Sequence, residues 1–180
     1  MNIFVLDLDP RKAALYHCDK HVVKMILEYA QLLSTAHRFS GNTDEKLFKV
    51  THINHPCNIW ARESTANYLW LYELFYYTCE QYELRYGEKH SVFLKLDELL
   101  QRVPRLTKHE MTPFALAMFD RFKTSNVVDS YRNYYRGDKR LFARWTSPAT
   151  VPEWFIEGEV TEIERYHKRT GELKIVQYNL

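Results

Sequence analysis

Asp19-Lys20-His21-Val22-Val23-Lys24-Met25-Ile26-Leu27-Glu28-Tyr29-Ala30-Gln31-Leu32-Leu33-Ser34-Thr35-Ala36 is the stretch from which the fold is read. At helical pitch His21, Lys24, Glu28, Gln31 and Thr35 fall three or four apart and form one polar line. Val22, Val23, Met25, Ile26, Leu27, Tyr29, Ala30, Leu32 and Leu33 surround that line with apolar side chains. A surface helix carries a wide polar face, whereas a helix apolar almost all round is buried. The stretch therefore predicts a central helix whose narrow polar seam meets either a hydrogen-bonding partner or a cleft. Leaving Lys24 and Glu28 unpaired inside a core is too costly. Two readings follow: a Lys24–Glu28 pair at i,i+4 satisfied within a helical core, or a helix that floors an active site.

The composition around this helix supports a helical domain. In 180 residues there are only 5 glycines and 6 prolines, with 46% hydrophobic and 15% aromatic residues. That excludes a disordered chain and leaves few breakers. The length suits one domain with a substantial core. A formal charge of +2 carries no general excess for binding polyanions, so nucleic acid must be met by a local patch. Cys18, Cys57 and Cys79 are odd in number and lack CxxC spacing, as reduced thiols of a cytosolic protein do. No apolar run is long enough to span a membrane and no secretory leader is evident, so a soluble intracellular protein is expected.

Asp9 before Pro10 predicts an N-cap and a short helix over 11–17, with Asp19 capping the helix that follows. Asn54 or His55 caps a second long helix from Pro56 to about Tyr86, closed by Gly87. Its Trp60, Glu63, Asn67 and Trp70 form a second polar–aromatic seam that faces the first. Further helices are expected over 92–100, over 114–122 after Thr112-Pro113, over 127–135 and over 139–145. Trp154-Phe155 anchors an extended piece. Segments 160–166 and 173–176, either side of Arg169-Thr170-Gly171, predict a terminal hairpin or tail. The expected fold is all-α: one compact domain over 1–180, its core in 1–156 and a hairpin or tail in 157–180.

Among the 8 histidines, His17 and His21 are i,i+4 and His52 and His55 are i,i+3. With Glu28, the first pair could supply two imidazoles and a carboxylate. The spacing matches no common metal motif, so no metal and no cofactor is expected. Gly-x-Ser-x-Gly and glycine-rich phosphate cradles are both absent. What remains is a carboxylate beside an amine. Glu28 with Lys24, or with the α-amine of Met1, supports imine chemistry at an aldehyde-like sugar carbon. A carboxylate also stabilises oxocarbenium character at a glycosidic carbon. Tyr131, Tyr134 and Tyr135 alternate with Arg132, Arg136, Lys139 and Arg140. Either this segment stacks bases and meets phosphates, or it packs on the core with its charges solvated.

Two resemblances bear on these residues. Asn2-Ile3-Phe4-Val5-Leu6-Asp7, Cys18-Asp19-Lys20-His21 and Asn54-His55-Pro56 resemble a group of uncharacterised tailed-phage proteins. Asp19-Lys20-His21, followed seven residues after the histidine by Glu28, resembles the Asp-Gln-His…Glu helix of the pyrimidine-dimer DNA glycosylases, the endonuclease V of T-even phages. His55 opening a long helix, and Tyr131-Arg132-Asn133-Tyr134-Tyr135 with Gly137 and Lys139, match later features in the same order. This resemblance implies a compact helical enzyme without metal, a catalytic Glu28 and an N-terminal amine as nucleophile. The chain departs from that family in two places. Asn2 stands where the family exposes a small residue after methionine removal, which leaves the amine on Met1. Leu27 and Leu32 stand near Glu28 where the family has arginines.

The expected function is a phage-type DNA-processing enzyme of glycosylase/lyase type in the cytoplasm of the host cell. In that reading Glu28 is catalytic and Met1 or Lys24 supplies the amine. His21, Asn54, His55, Arg62 and Asn67 line the pocket, and Tyr131, Arg132, Tyr134, Tyr135 and Lys139 grip the strand. The alternatives are a transferase that modifies a DNA base and a non-enzymatic nucleotide- or protein-binding module. The oligomeric state is left open.

Overall fold

Asp9 turns the chain into its first helix, its carboxylate accepting the N–H of Arg11 at 2.8 Å while Pro10 fills the first turn. The computed structural model describes residues 1–157, 162–166 and 173–177, with side chains over 1–157. The helices are α1 (Pro10–Leu15), α2 (Asp19–Phe39), α3 (Pro56–Ala61), α4 (Thr65–Tyr86), α5 (Ser91–Leu100), α6 (Val127–Tyr134) and α7 (Glu153–Ile156). Strands β1 (Glu162–Tyr166) and β2 (Leu173–Gln177) pair antiparallel, with Glu164 opposite Ile175. The body is thus all-α with a terminal two-stranded ribbon. The expected turn at Arg169–Gly171, and Val160, lie outside the described residues.

Helix α4 is the hub: α1 and α2 both pack along it, and α2 also meets α3 and α5. Ile3, Phe4, Val5 and Leu6 run extended into this core and are at most 3% exposed. No described strand pairs with them, so side chains satisfy part of this run's backbone. The Tyr29 hydroxyl accepts from Phe4 N at 3.4 Å, Arg132 Nε donates to Leu6 O at 3.0 Å, and Trp70 Nε1 to Leu8 O at 2.7 Å.

Several expectations need correction. Helix α2 is central, but it is not buried all round. Leu32 to His37 are all buried, whereas Val23 and Leu27 are 44% and 40% exposed. Its N-cap is Cys18 rather than Asp19. The Asp19 carboxylate instead accepts from Thr146 N and Oγ1 and pairs with Arg85 at 3.0 Å, pinning segment 143–146 to the start of α2.

The long helix expected from Pro56 to Tyr86 is two helices. Ser64 breaks it, extended at φ −145°, and caps α4 by accepting from Asn67 N. Thr65 N and Ala66 N donate to the carbonyls of Lys108 and His109, so a distant segment completes the cap. The expected helix over 114–122 is an extended strap ending in one 3₁₀ turn, Asp120–Phe122. Pro113 biases Thr112 to extended backbone, and the Asn67 amide fixes Thr112 there through its N–H and hydroxyl. The helix expected over 139–145 is also absent: α6 runs into a single π-helical turn, Tyr135–Lys139, and helix then stops. Trp154 and Phe155 lie in the short helix α7, not in an extended piece.

Candidate active site at the N-terminal amine

The buried N-terminal run brings the α-amine of Met1 to α2. Its nitrogen lies 3.6 Å from Glu28 Oε2, and Lys24 Nζ lies 3.2 Å from Glu28 Oε1. One carboxylate therefore divides its oxygens between two amines. They differ in setting, since the Met1 side chain is 4% exposed and that of Lys24 is 64%. Both line a cleft of about 390 Å³ together with Asn2, Phe4, Met25 and Glu28. His21 and Lys20 also reach it from α2, Tyr134 from the end of α6, Lys139 from the π turn and Phe142 from the residues after it. The volume falls in the roughly 300–1,000 Å³ range of small-molecule sites.

His21 is 5% exposed and stacks on Phe4 with ring centroids 4.3 Å apart. Its Nδ1 pairs with the Tyr135 hydroxyl at 2.5 Å. Burial first, then the charge of His17 and three nearby lysines, holds its pKa well below the ordinary histidine value. The ring is thus neutral at pH 7. His55 caps α3, its Nδ1 accepting from Cys57 N at 3.2 Å. Its pKa is lowered by burial, then by the Met1 amine and His52, while Glu28 raises it. His55 therefore stands within electrostatic reach of the amine and of Glu28, although it does not line the cleft.

Glu28, Lys24, Met1, His21, Tyr134 and Lys139, all legible in the sequence as candidates, meet in this cleft. Others named with them do not. Asn54 is exposed on the loop before α3. Arg62 donates to Asn58 Oδ1 and Ile53 O and lies over the Phe39 ring, so it clamps that loop. Asn67 is fully buried and ties α4 to Trp60 O and Thr112, so the second seam faces the 108–112 strap rather than α2.

The strand-gripping segment is corrected most. Tyr131 and Tyr135 are 0% exposed, with the Tyr131 hydroxyl donating to Ala115 O at 2.7 Å. A ring with no free face cannot stack on a base. Arg132 donates to Leu6 O, meets Asp7 at 3.6 Å and lies over Tyr16 and Trp154. Of this segment Tyr134 and Lys139 keep a cleft-side role, Lys139 donating to the Tyr134 hydroxyl at 2.8 Å. Sequence reasoning missed Asn2, Phe4, Lys20, Met25 and Phe142. Lys20 adjoins the Asp19-Lys20-His21 motif, but nothing local marks Phe142.

Comparison with protein-family models, curated proteins and solved structures finds no match. Among the described residues no three His, Cys, Asp or Glu side chains converge as a metal site. His17, the partner considered for His21, is committed to the core: Nδ1 donates to Ala13 O at 2.6 Å and Nε2 meets Tyr29 Oη at 2.7 Å. No helix among the described residues is long and apolar enough to cross a membrane.

Proposed function

We propose that the cleft is the active site of a DNA-processing enzyme of glycosylase/lyase type, acting on a damaged or modified base. The observation that carries this is the Met1 amine at 3.6 Å from Glu28 on the wall of an open cleft. An amine and a carboxylate so placed are the two groups that imine chemistry at a sugar carbon requires. The resemblance of Asp19-Lys20-His21…Glu28 to the pyrimidine-dimer glycosylases supports the same assignment. The resemblance to tailed-phage proteins supports action in the host cytoplasm.

In this reading the Met1 ammonium first gives a proton to solvent, and the neutral amine forms an N–C1′ bond as the bond from C1′ to the base breaks. The base leaves with the electron pair and takes up a proton. The nitrogen then gives up a proton, its lone pair forms the C=N bond, and the C1′–O4′ bond opens with O4′ protonated. The iminium carries its charge beside Glu28 Oε2. One water hydrolyses it, returning the amine and an abasic aldehyde. Lys24 is the counter-ion that holds Glu28 through Oε1, because its exposed ammonium is the more solvated of the two amines.

Borohydride trapping on abasic or lesion-bearing DNA tests this. The expected outcome is a covalent adduct mapped to Met1, with Glu28→Gln slowing its formation by about 100-fold or more. No adduct from protein with Glu28 intact overturns the reading. A nucleoside that gains mass, where a base should be lost, makes the protein a transferase instead.

A further inference from the structure

The glycosylase reading needs a surface for the strand, and the Tyr131–Arg140 segment has its tyrosines buried and its arginines occupied. The first half of α2 offers another. Lys20, Val23, Lys24 and Leu27 are spaced i, i+3, i+4 and i+7, so they form one outward stripe. Val23 is 44% and Leu27 40% exposed, and the Lys24 side chain 64%. The sequence pattern places both aliphatics in the core, whereas they are exposed in the fold. The stripe adjoins the cleft, since Lys20 and Lys24 line it and Glu28 lies one step round the helix.

The charge lining the cleft beside the stripe is mostly positive. Lys20, Lys24, Lys139 and the Met1 amine stand against Glu28, the one carboxylate among the residues lining the cleft. Lys20 Nζ lies over the Phe142 ring at 4.5 Å and Lys139 Nζ over the Tyr134 ring at 4.1 Å, which holds both ammonium groups at the opening.

We infer that the Lys20–Val23–Lys24–Leu27 stripe of α2 is the surface that receives the DNA strand, resting on the glycosylase reading of the cleft beside it. Lys20 and Lys139 take the phosphates that flank the target nucleotide, which enters the cleft. Val23 and Leu27 pack against the apolar faces left exposed when that nucleotide leaves the stack, as aliphatic wedges do. A partner protein, which would prefer a dry apolar patch without the lysines, is the competing occupant.

The test uses a labelled oligonucleotide carrying a tetrahydrofuran abasic analogue, titrated by anisotropy at several salt concentrations. With two to three phosphates neutralised, log K is expected to fall against log salt with a slope of about −2. Lys20→Gln should reduce that slope by just under 1. Val23→Asp with Leu27→Asp should weaken binding at least ten-fold while the urea midpoint stays unchanged, as both sites are exposed. If the double variant loses its midpoint, the Lys20→Gln slope decides alone. Unchanged affinity in the folded double variant, an unchanged slope in Lys20→Gln, or no strand binding by the parent protein overturns the assignment.

Borohydride trapping of the parent protein on 2-deoxyribose 5-phosphate, with no strand present, separates the two claims. Trapping without a response of strand affinity to the stripe refutes the stripe and leaves the amine chemistry standing. A responsive stripe without trapping does the reverse.

Discussion

At the residue scale, the position of the amine depends on a buried relay that begins away from the cleft. His17 donates through Nδ1 to Ala13 O, so its Nε2 accepts from the Tyr29 hydroxyl, whose oxygen in turn accepts from Phe4 N. Phe4 stacks on His21, and Met1 stands three residues before it. Tyr29 on α2 thus ties the N-terminal run to α1 through His17. Tyr29→Phe keeps the ring and its packing but leaves His17 Nε2 and Phe4 N–H without partners. Such losses cost about 1–3 kcal/mol in a buried setting. The variant should lose that much stability in urea unfolding. It should also trap borohydride adducts more slowly than a surface variant of equal stability. A matched rate would show that the relay supports the fold without positioning the amine.

At the scale of elements, the π turn Tyr135–Lys139 sets which side chains reach the cleft. The extra residue rotates Tyr135 onto His21 while Lys139 meets Tyr134, a use of π geometry often found at functional sites. Gly137 sits in the middle of this turn, where an added Cβ would overlap the Phe122 ring. Gly137→Ala should destabilise the protein by about 1–3 kcal/mol, the range for overpacking. Phe122→Ala in the same chain should recover part of that loss, a coupling that a double-mutant cycle in urea would measure. Additive losses would place the strain in the backbone instead.

Elements capped by their own neighbours were legible in the sequence: Asp9-Pro10, His55-Pro56 and Gly87 each end or begin a helix where expected. The break at Ser64 and the strap over 111–119 were not. They are set by Lys108, His109 and Thr112, partners more than forty residues from Ser64 and Asn67. The same limit applied at the site. An alternation of Tyr and Arg reads alike whether a hydroxyl ends at Ala115 O or at a base. Glu28, Lys24 and His21 were legible because helical spacing alone puts them on one side of α2.

At the scale of the whole molecule, arginines and histidines replace the regular structure that long connections lack. Arg38, Arg62, Arg85, Arg132, Arg136, Arg140 and Arg144 each donate to a main-chain carbonyl. These bonds satisfy loop and helix-end carbonyls that would otherwise need water. They also occupy guanidinium groups that would otherwise be offered to a phosphate. The histidines make the fold sensitive to acid. His17 is held at about pKa 4 by burial, and burial likewise lowers His21 and His37, the latter bonded to Tyr68 at 2.9 Å. In the unfolded chain each titrates near 6.5, so below that pH the unfolded state binds more protons than the folded one. Stability is therefore complete above about pH 6.5, falls as pH drops from there, and stops falling on His17's account once pH passes its folded value. At about 1.4 kcal/mol per unit, His17 alone removes roughly 3 kcal/mol between pH 6.5 and 4. That is a large part of the 5–15 kcal/mol typical of a domain. Urea midpoints at pH 7.5, 6.0 and 5.0 should decline steadily, with unfolding under way before most carboxylates protonate. A flat response across that interval would mean that these imidazoles reach solvent and charge without breaking their hydrogen bonds.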